Sequence, residues 1–362
     1  MFKILTIVGA RPHFIKASSV SQAIREQANL TEVIVHTGQH YDAALSASLI
    51  EELNIPTPKY NLGIGSGSHS WQMGTMLLKL GEVLAIEQPD LVIVYGDTNT
   101  TAAGAIVAAK ENIPVAHIEA GLREFDKKIP EEINKRLTDS VSDFFFSPTK
   151  TGVKNLAREG TTEGVYHVGD VGIDLIHQNL SRIEARQKDL TRYGVAAGAY
   201  YFMTCHRVAN TVSKENLVGI LSIFASLDLP VIFSIHPRTK KAIETFGLTD
   251  LLAAEKVRAI PPIGFWETQS LVRSAKCLIT DSGGLIKEGY YHKVPAIIID
   301  TQTEWIETIE EGWNHLAGPD PAKILELIRT IERPTRHTNC LGDGTAAQQI
   351  IEILYNYLNA KS

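Results

Sequence analysis

Cysteine is scarce in this chain of 362 residues: Cys205, Cys277 and Cys340 are all there is. They are odd in number, far apart and in no metal-like spacing, which argues against a disulfide framework and fits a reduced, cytoplasmic setting. No apolar run approaches the roughly 18 residues that a membrane span needs. The chain opens on a strand pattern, Lys3-Ile4-Leu5-Thr6-Ile7-Val8, too short for a signal peptide. A soluble cytoplasmic protein is therefore the expectation. Charge of one sign is lacking too, with 35 basic and 41 acidic residues well mixed and a net charge of −6. That excludes nucleic acid and anionic membrane as main partners, so an anionic ligand must be held by a local site. Two nucleotide signatures are also missing. No Gly-x-Gly-x-x-Gly follows the first strand, and Gly65-Ser66-Gly67-Ser68 lacks the Lys-Ser/Thr ending of a P-loop. Redox chemistry is unsupported, and no cofactor is expected.

What is present is a regular alternation of short apolar runs and helical periodicity. Ile4–Val8, Val33–His36, Leu91–Tyr95, Val115–Ile118 and Asp143–Ser147 read as buried parallel strands. Between them, Pro12–Gln27, Met73–Ile86, Thr100–Asn112 and Glu131–Val141 read as helices. The second half repeats the scheme with Tyr200–Thr204, Val231–Ile235, Lys276–Thr280 and Ala296–Ile299 as strands, flanked by helices at Lys214–Ala225 and Pro321–Ile331. The length suits two domains. The expected fold is α/β, with two Rossmann-like doubly wound parallel-sheet domains, residues 1–170 and 171–362, facing a cleft. The joint is expected near Val168–Leu190, with the last amphipathic stretch, Gly344–Leu358, packing back across it. Gly63–Ser70 reads as a mobile loop.

The polar residues that follow the strands carry the chemistry. Thr280-Asp281-Ser282-Gly283-Gly284 ends one strand and opens a helix, so Ser282, Gly283 and Gly284 can present bare N–H groups to a phosphate. Glu288 follows one and a half turns on, in reach of a sugar hydroxyl. A plain strand-to-helix turn is the structural alternative. Arg11 and Lys16 begin a helix after the first strand, while Asp97, Glu119 and Glu131 lie on later strand-end loops or a helix start. Asp97 could be only an N-cap, and Glu131 in Pro130-Glu131-Glu132 suits a first helical turn for dipole reasons alone. His117 and Glu119 could share a strand face and a metal, but no third ligand stands at a recognisable spacing, and no metal is expected. His206 and His236 follow strands of the second half. Three acids, several cations and a phosphate-type turn together point to a diphosphate ligand and acid–base chemistry.

In these residues the chain resembles the non-hydrolysing UDP-N-acetylglucosamine 2-epimerase family over nearly its whole length. The matching blocks are Gly-Ala-Arg-Pro with Lys16 (9–16), Gly-Gln-His (38–40), Gly-Asp-Thr (96–98), His-Ile-Glu-Ala-Gly-Leu-Arg (117–123), Pro-Glu-Glu-Ile-Asn (130–134), His-Arg (206–207) and Thr-Asp-Ser-Gly-Gly (280–284). The resemblance implies a fold like that of the GT-B glycosyltransferases and inversion at C2 of a UDP-2-acetamido sugar. It implies acid–base roles for Asp97, Glu119 and Glu131, and a place for His206 near the departing diphosphate. Arg11, Lys16, His236, Phe265, Ser282, Gly283, Gly284 and Glu288 become the substrate binders, and a homodimer is implied. UDP-sugar and UDP are the expected partners, with neither nucleic acid nor membrane. Gln39-His40-Tyr41-Asp42 and Thr303-Glu304-Trp305-Ile306-Glu307 are similar to the branch acting on UDP-2,3-diacetamido-2,3-dideoxyglucuronate, which is favoured over UDP-N-acetylglucosamine. A GT-B glycosyltransferase and a hydrolysing epimerase are the alternatives.

Overall fold

Buried apolar strands need both faces covered, and the chain meets that need twice. In the computed structural model, which describes residues 1–39 and 49–361, the backbone forms two compact units. The first comprises Met1–Gln178 and Leu341–Ser362, and the second Asn179–Cys340. His40, Tyr41 and Asp42, which entered the argument about the sugar, lie outside the described residues.

The first unit holds a seven-stranded sheet of β1 (Phe2–Val8), β2 (Leu30–His36), β3 (Tyr60–Asn61), β4 (Leu91–Tyr95), β5 (Val115–Ile118), β6 (Phe144–Ser147) and β7 (Val165–His167), in the order β3-β2-β1-β4-β5-β6-β7. The second holds six: β8 (Tyr201–Thr204), β9 (Val231–Ser234), β10 (Val257–Ile260), β11 (Cys277–Thr280), β12 (Ala296–Ile298) and β13 (Asn314–Leu316), in the order β10-β9-β8-β11-β12-β13. Every described pairing is parallel, for example Leu5 against Val33 and Met203 against Ile279. The doubly wound α/β expectation holds for both units. In each, the strand order reverses beside the first strand, between β1 and β4 and between β8 and β11. At such switch points the connections leave in opposite directions and open a crevice at the C-terminal strand ends.

The strands that the sequence pattern missed are β3, β7, β10 and β13, and each is the outermost strand of its sheet. Being at the edge, they are half-exposed, so their residues show no continuous apolar run: only Val257 of β10 and Asn314 of β13 are buried. The stretch read as a loop, 63–70, is irregular over 63–68, and its last two residues begin a helix. Ser68 caps a helix, His69–Glu87, by accepting from the Trp71 N–H, and the Ile64 and Gly65 N–H groups donate to the carbonyls of Thr37 and Gly38.

The first unit continues past residue 170 because the helix Val171–Gln178 is tied to it. Ser19 Oγ donates to the Val171 carbonyl at 2.8 Å, and the Asp170 N–H donates to the Leu341 carbonyl at 2.8 Å. Gly169 and Gly342 meet here, both at positive φ, so closely that a Cβ on Gly169 would lie 2.8 Å from the Gly342 Cα. The final helix, Ala346–Lys361, belongs to the same unit. Its first turn donates the Ala347 N–H to Asp174 Oδ2 at 2.6 Å, and Tyr357 packs edge-on against Phe144.

Asp174 is almost fully buried, and its Oδ1 has no hydrogen-bond partner. Burial pushes its carboxyl up to about 6 despite the N–H groups of Ala347 and Ala346, with Asp170 and Asp343 adding to the rise. A raised carboxyl holds more protons folded than unfolded, so this residue's contribution to stability is lost as pH rises from about 4 to 6. Asp174→Asn should be more stable than the parent at pH 7.5, by about 2 kcal/mol, and equal to it near pH 4. Thermal unfolding of both chains across that range checks the sign.

Candidate functional site

The first unit gathers its polar residues at the ends of β1, β4 and β5. After β4 the chain turns at Gly96, with φ of +64°, into Asp97 and then a helix, Asn99–Lys110. Thr98, not Asp97, caps that helix, accepting from the Thr100 N–H in a reciprocal arrangement with Thr101. The capping explanation for Asp97 is thereby removed. Its side chain is about one-third exposed, at 32 %. Desolvation pushes this carboxyl up, but Lys135, Lys16 and His13 outweigh it and hold Asp97 below the ordinary carboxylate range. Lys135 Nζ stands 3.6 Å from Asp97 Oδ2, and Asn134 Nδ2 donates to the Asp97 carbonyl at 3.0 Å.

Glu119 is the first residue beyond β5 and sits at φ of +76°, a conformation that costs a side-chain-bearing residue energy and persists only where its surroundings enforce it. Its N–H donates to the Phe146 carbonyl, and its carboxylate pairs with Lys16 from the helix Arg11–Glu26. Gly96 makes room for that pair: a Cβ there would lie 2.9 Å from Lys16 Nζ and 3.2 Å from Glu119 Oε2. The strand-face pairing of His117 with Glu119 does not occur. His117 is wholly buried between Asp139 and the Gly96 carbonyl. Among the described residues there is no group of three or more His, Cys, Asp or Glu side chains that could hold a metal.

Glu131 is the second residue of the helix Pro130–Val141 and is exposed, whereas Glu132 beside it is buried and accepts from Arg136 Nε and the Glu124 N–H. Arg11 is exposed at the start of its helix, as is the Pro12 that follows it. Behind this front runs a polar network. His13 Nδ1 accepts from the Gly9 N–H, Gln39 Oε1 accepts from Thr100 Oγ1 at 2.7 Å, and Asn99 Nδ2 donates to Gln72 Oε1. Sequence reading missed Lys135 and His13, and gave Asn134, the last residue of the 130–134 block, no role. The one available signal was their place on the inner stripe of helices whose outer residues had been noted.

In the second unit the organiser is Asp281, buried directly after β11. Its carboxylate accepts from the N–H groups of His206 and Arg207 at 2.9 Å and from Asn210 Nδ2 at 3.0 Å, locking the turn after β8 onto the turn after β11. Ser282 caps the helix Gly283–Tyr291 through its Oγ, and Gly283 and Gly284 form the first turn. His206 is partly exposed. Burial pushes its imidazole below the usual range, Arg207 and Arg238 add to this, and Asp281 opposes them. Its ring centroid lies 5.6 Å from that of His236, which caps the helix Pro237–Phe246 with Nδ1.

Glu288 points back at the Ser-Gly-Gly turn, with Oε1 3.5 Å from where a Gly284 Cβ would lie. Its other oxygen accepts from Gln269 Nε2 at 2.6 Å, and Gln269 Oε1 is 3.0 Å from His292 Nε2. Since the amide donates to Glu288, its oxygen must accept, which places the imidazole proton on His292 Nε2. Burial depresses His292 to about 3, so this ring stays neutral and fixes the relay. Phe265 opens the helix Phe265–Ser274 with its ring buried against Trp266. Trp305, part of the motif used to read the sugar, is also buried, with Lys287 Nζ 4.5 Å above its ring.

Three comparisons bear on this arrangement. The family model described as UDP-N-acetylglucosamine 2-epimerase matches residues 22–355. A relative from Methanococcus maripaludis, named a UDP-N-acetylglucosamine 2-epimerase homolog, is 46 % identical over 357 residues, which is 98 % of this chain and 99 % of its own. One from Pseudomonas aeruginosa, a UDP-2,3-diacetamido-2,3-dideoxy-D-glucuronate 2-epimerase, is 41 % identical over 361 residues, 97 % of this chain and 99 % of its own. The crystal structure of a Methanocaldococcus jannaschii UDP-GlcNAc 2-epimerase in complex with UDP-GlcNAc and UDP matches with a TM-score of 0.90 at 41 % identity, covering 98 % and 99 % of the two chains.

The room at Gly96 gives a direct test. Gly96→Ala must adopt a left-handed conformation, at about 1–2 kcal/mol, and push the Lys16–Glu119 pair aside. The expected result is a melting temperature a few degrees lower, read by thermal unfolding of both chains.

Proposed function

Since the chain belongs to the UDP-N-acetylglucosamine 2-epimerase family, and is thus an isomerase, we propose that it inverts C2 of UDP-N-acetylglucosamine by eliminating and re-adding UDP. C2 of a 2-acetamido sugar has no carbonyl beside it, so its proton is too weakly acidic for direct removal. Breaking the C1–O bond to the β-phosphate as a base takes the C2 proton solves this. The C–H electron pair becomes the C1=C2 bond of a glycal, and the C1–O pair leaves with UDP. Return of the phosphate oxygen to C1, with a proton delivered to the opposite face of C2, gives the manno epimer.

The observation that carries this reading is the state of Asp97. It is a one-third exposed carboxylate at the end of β4, freed from a capping role by Thr98 and set 3.6 Å from Lys135 Nζ, so it stands where it can take a proton. Glu119, held by Lys16, and the exposed Glu131 complete the acid–base set. The second unit suits the other half of the chemistry. The first turn of the helix Gly283–Tyr291 offers N–H groups to the diphosphate, and the relay through Gln269 aims Glu288 at the same turn. His206, neutral when the site is free, can take up a proton as negative charge arrives on the leaving diphosphate. Arg11, Lys16, His236 and Phe265 complete the proposed binding set.

The choice of sugar departs from the expectation formed on sequence. Of the two motifs behind the uronate reading, His40, Tyr41 and Asp42 lie outside the described residues, and Trp305 has a packing role that accounts for it. The Methanococcus maripaludis relative and the Methanocaldococcus jannaschii complex both carry names referring to N-acetylglucosamine. The Pseudomonas aeruginosa relative supports UDP-2,3-diacetamido-2,3-dideoxyglucuronate as the second reading.

Proton NMR of the protein with each UDP-sugar in parallel tubes decides between them. A manno product from UDP-N-acetylglucosamine supports the proposal, and product from the uronate alone establishes the second reading. Asp97→Asn should lower turnover by about 100-fold or more while still binding UDP; near-normal turnover would remove Asp97 from the acid–base set.

A further inference from the structure

Asp139 lies in the interior of the first unit and touches no position where substrate was expected, yet it is tied to both strand-end loops that carry the carboxylates. Its Oδ1 is 2.6 Å from His117 Nδ1, two residues before Glu119. Its Oδ2 accepts from the Gly121 N–H at 3.2 Å, two residues after Glu119, and pairs with Arg123 at 2.7 Å. The other nitrogen of His117 is 2.8 Å from the carbonyl oxygen of Gly96, the residue before Asp97.

We propose that Asp139 is a positioning residue for the epimerisation, holding the chain on both sides of Glu119 and the turn into Asp97 through a His117 ring that carries a proton on both nitrogens. The two protons follow from the partners. A backbone carbonyl can only accept, so Nε2 must donate to Gly96. An ionised carboxylate can only accept, so Nδ1 must donate to Asp139. Asp139 is ionised because, although desolvation pushes its carboxyl up, His117 and Arg123 outweigh that and hold it low. Glu159 extends the cluster with a second ion pair to Arg123 at 2.6 Å and itself pairs with Arg136 at 3.6 Å, so each buried charge has a partner of opposite sign.

The consequence is mechanical. Glu119 is held at a positive φ, a conformation its own backbone does not prefer, and one carboxylate grips the chain on either side of it. The same carboxylate, through one rigid ring, fixes the carbonyl at the turn into Asp97. The spacing of the two proposed acid–base groups therefore depends on this buried side chain together with the backbone bond from the Gly96 N–H to the Ile118 carbonyl. This inference rests on the epimerase reading for its functional meaning, but the protonation of His117 can be measured without it.

The test uses the full chain labelled with 15N at histidine. In the wild type, His117 should show two ring N–H correlations; in Asp139→Asn, which removes the negative charge that balances the buried imidazolium, a single one, on the nitrogen facing the Gly96 carbonyl. The same variant should lose about 100-fold in kcat, with KM and the Kd for UDP within about threefold, because geometry and not binding is disturbed. His117→Gln, which keeps one donor for the Gly96 carbonyl, should retain more activity than Asp139→Asn. A purely structural role would instead lower the melting temperature and leave kcat per folded molecule intact. That result, or a single ring proton on wild-type His117, overturns the proposal. Should Asp139→Asn fail to fold, the wild-type spectrum and the kcat of His117→Gln decide. A wild-type chain that turns over neither sugar while keeping both ring protons defeats the epimerase reading and leaves the relay supported.

Discussion

Parallel pairing of buried strands is the constraint on which the rest of this protein depends. A parallel strand buried on both faces can afford almost no polar side chain along its length, so polar groups collect where the strand ends. In the first unit β4 lies between β1 and β5, and the loops that leave these three strands bring together Lys16, Asp97 and Glu119. In the second unit β11 lies beside β8, and the loops leaving them are joined through Asp281. The same topology thus produces a cluster of acids and lysines in one unit and an anion-friendly helix start in the other.

The two clusters are built on opposite electrostatic principles. In the first unit Lys16 pairs with Glu119 and Lys135 stands beside Asp97, so carboxylates and lysines alternate at the strand ends. The second unit offers N–H groups at a helix start and a histidine held neutral by burial and neighbouring arginines. Elimination of a diphosphate asks for both at once: negative charge to draw a proton from carbon, and fixed dipoles to receive the negative charge that departs.

Much of this was legible in the sequence because it obeys local rules. The central strands are apolar runs, and the residues after them are the polar ones a switch point collects. The four edge strands were invisible because half-exposed residues leave no periodic mark. The acid–base candidates Asp97 and Glu119 were visible as carboxylates at strand ends, but the roles of Lys135, His13 and Asn134 were not. Their meaning depends on which face of a helix meets which loop, and only three-dimensional packing fixes that. His117 was weighed as a metal ligand and set aside for want of a third one, and in the fold it is an internal strut. Trp305 looked like a mark of substrate choice, and it is buried beneath Lys287.

The central claim is that C2 is inverted by breaking and remaking the bond between C1 and UDP. The most direct test is to run the reaction in D2O with UDP-N-acetylglucosamine carrying 18O in the bridge between C1 and the β-phosphate. The account predicts one deuterium at C2 of the product and migration of the label into non-bridging β-phosphate positions. Epimer that lacks deuterium at C2 and keeps all of its 18O in the bridge would contradict it.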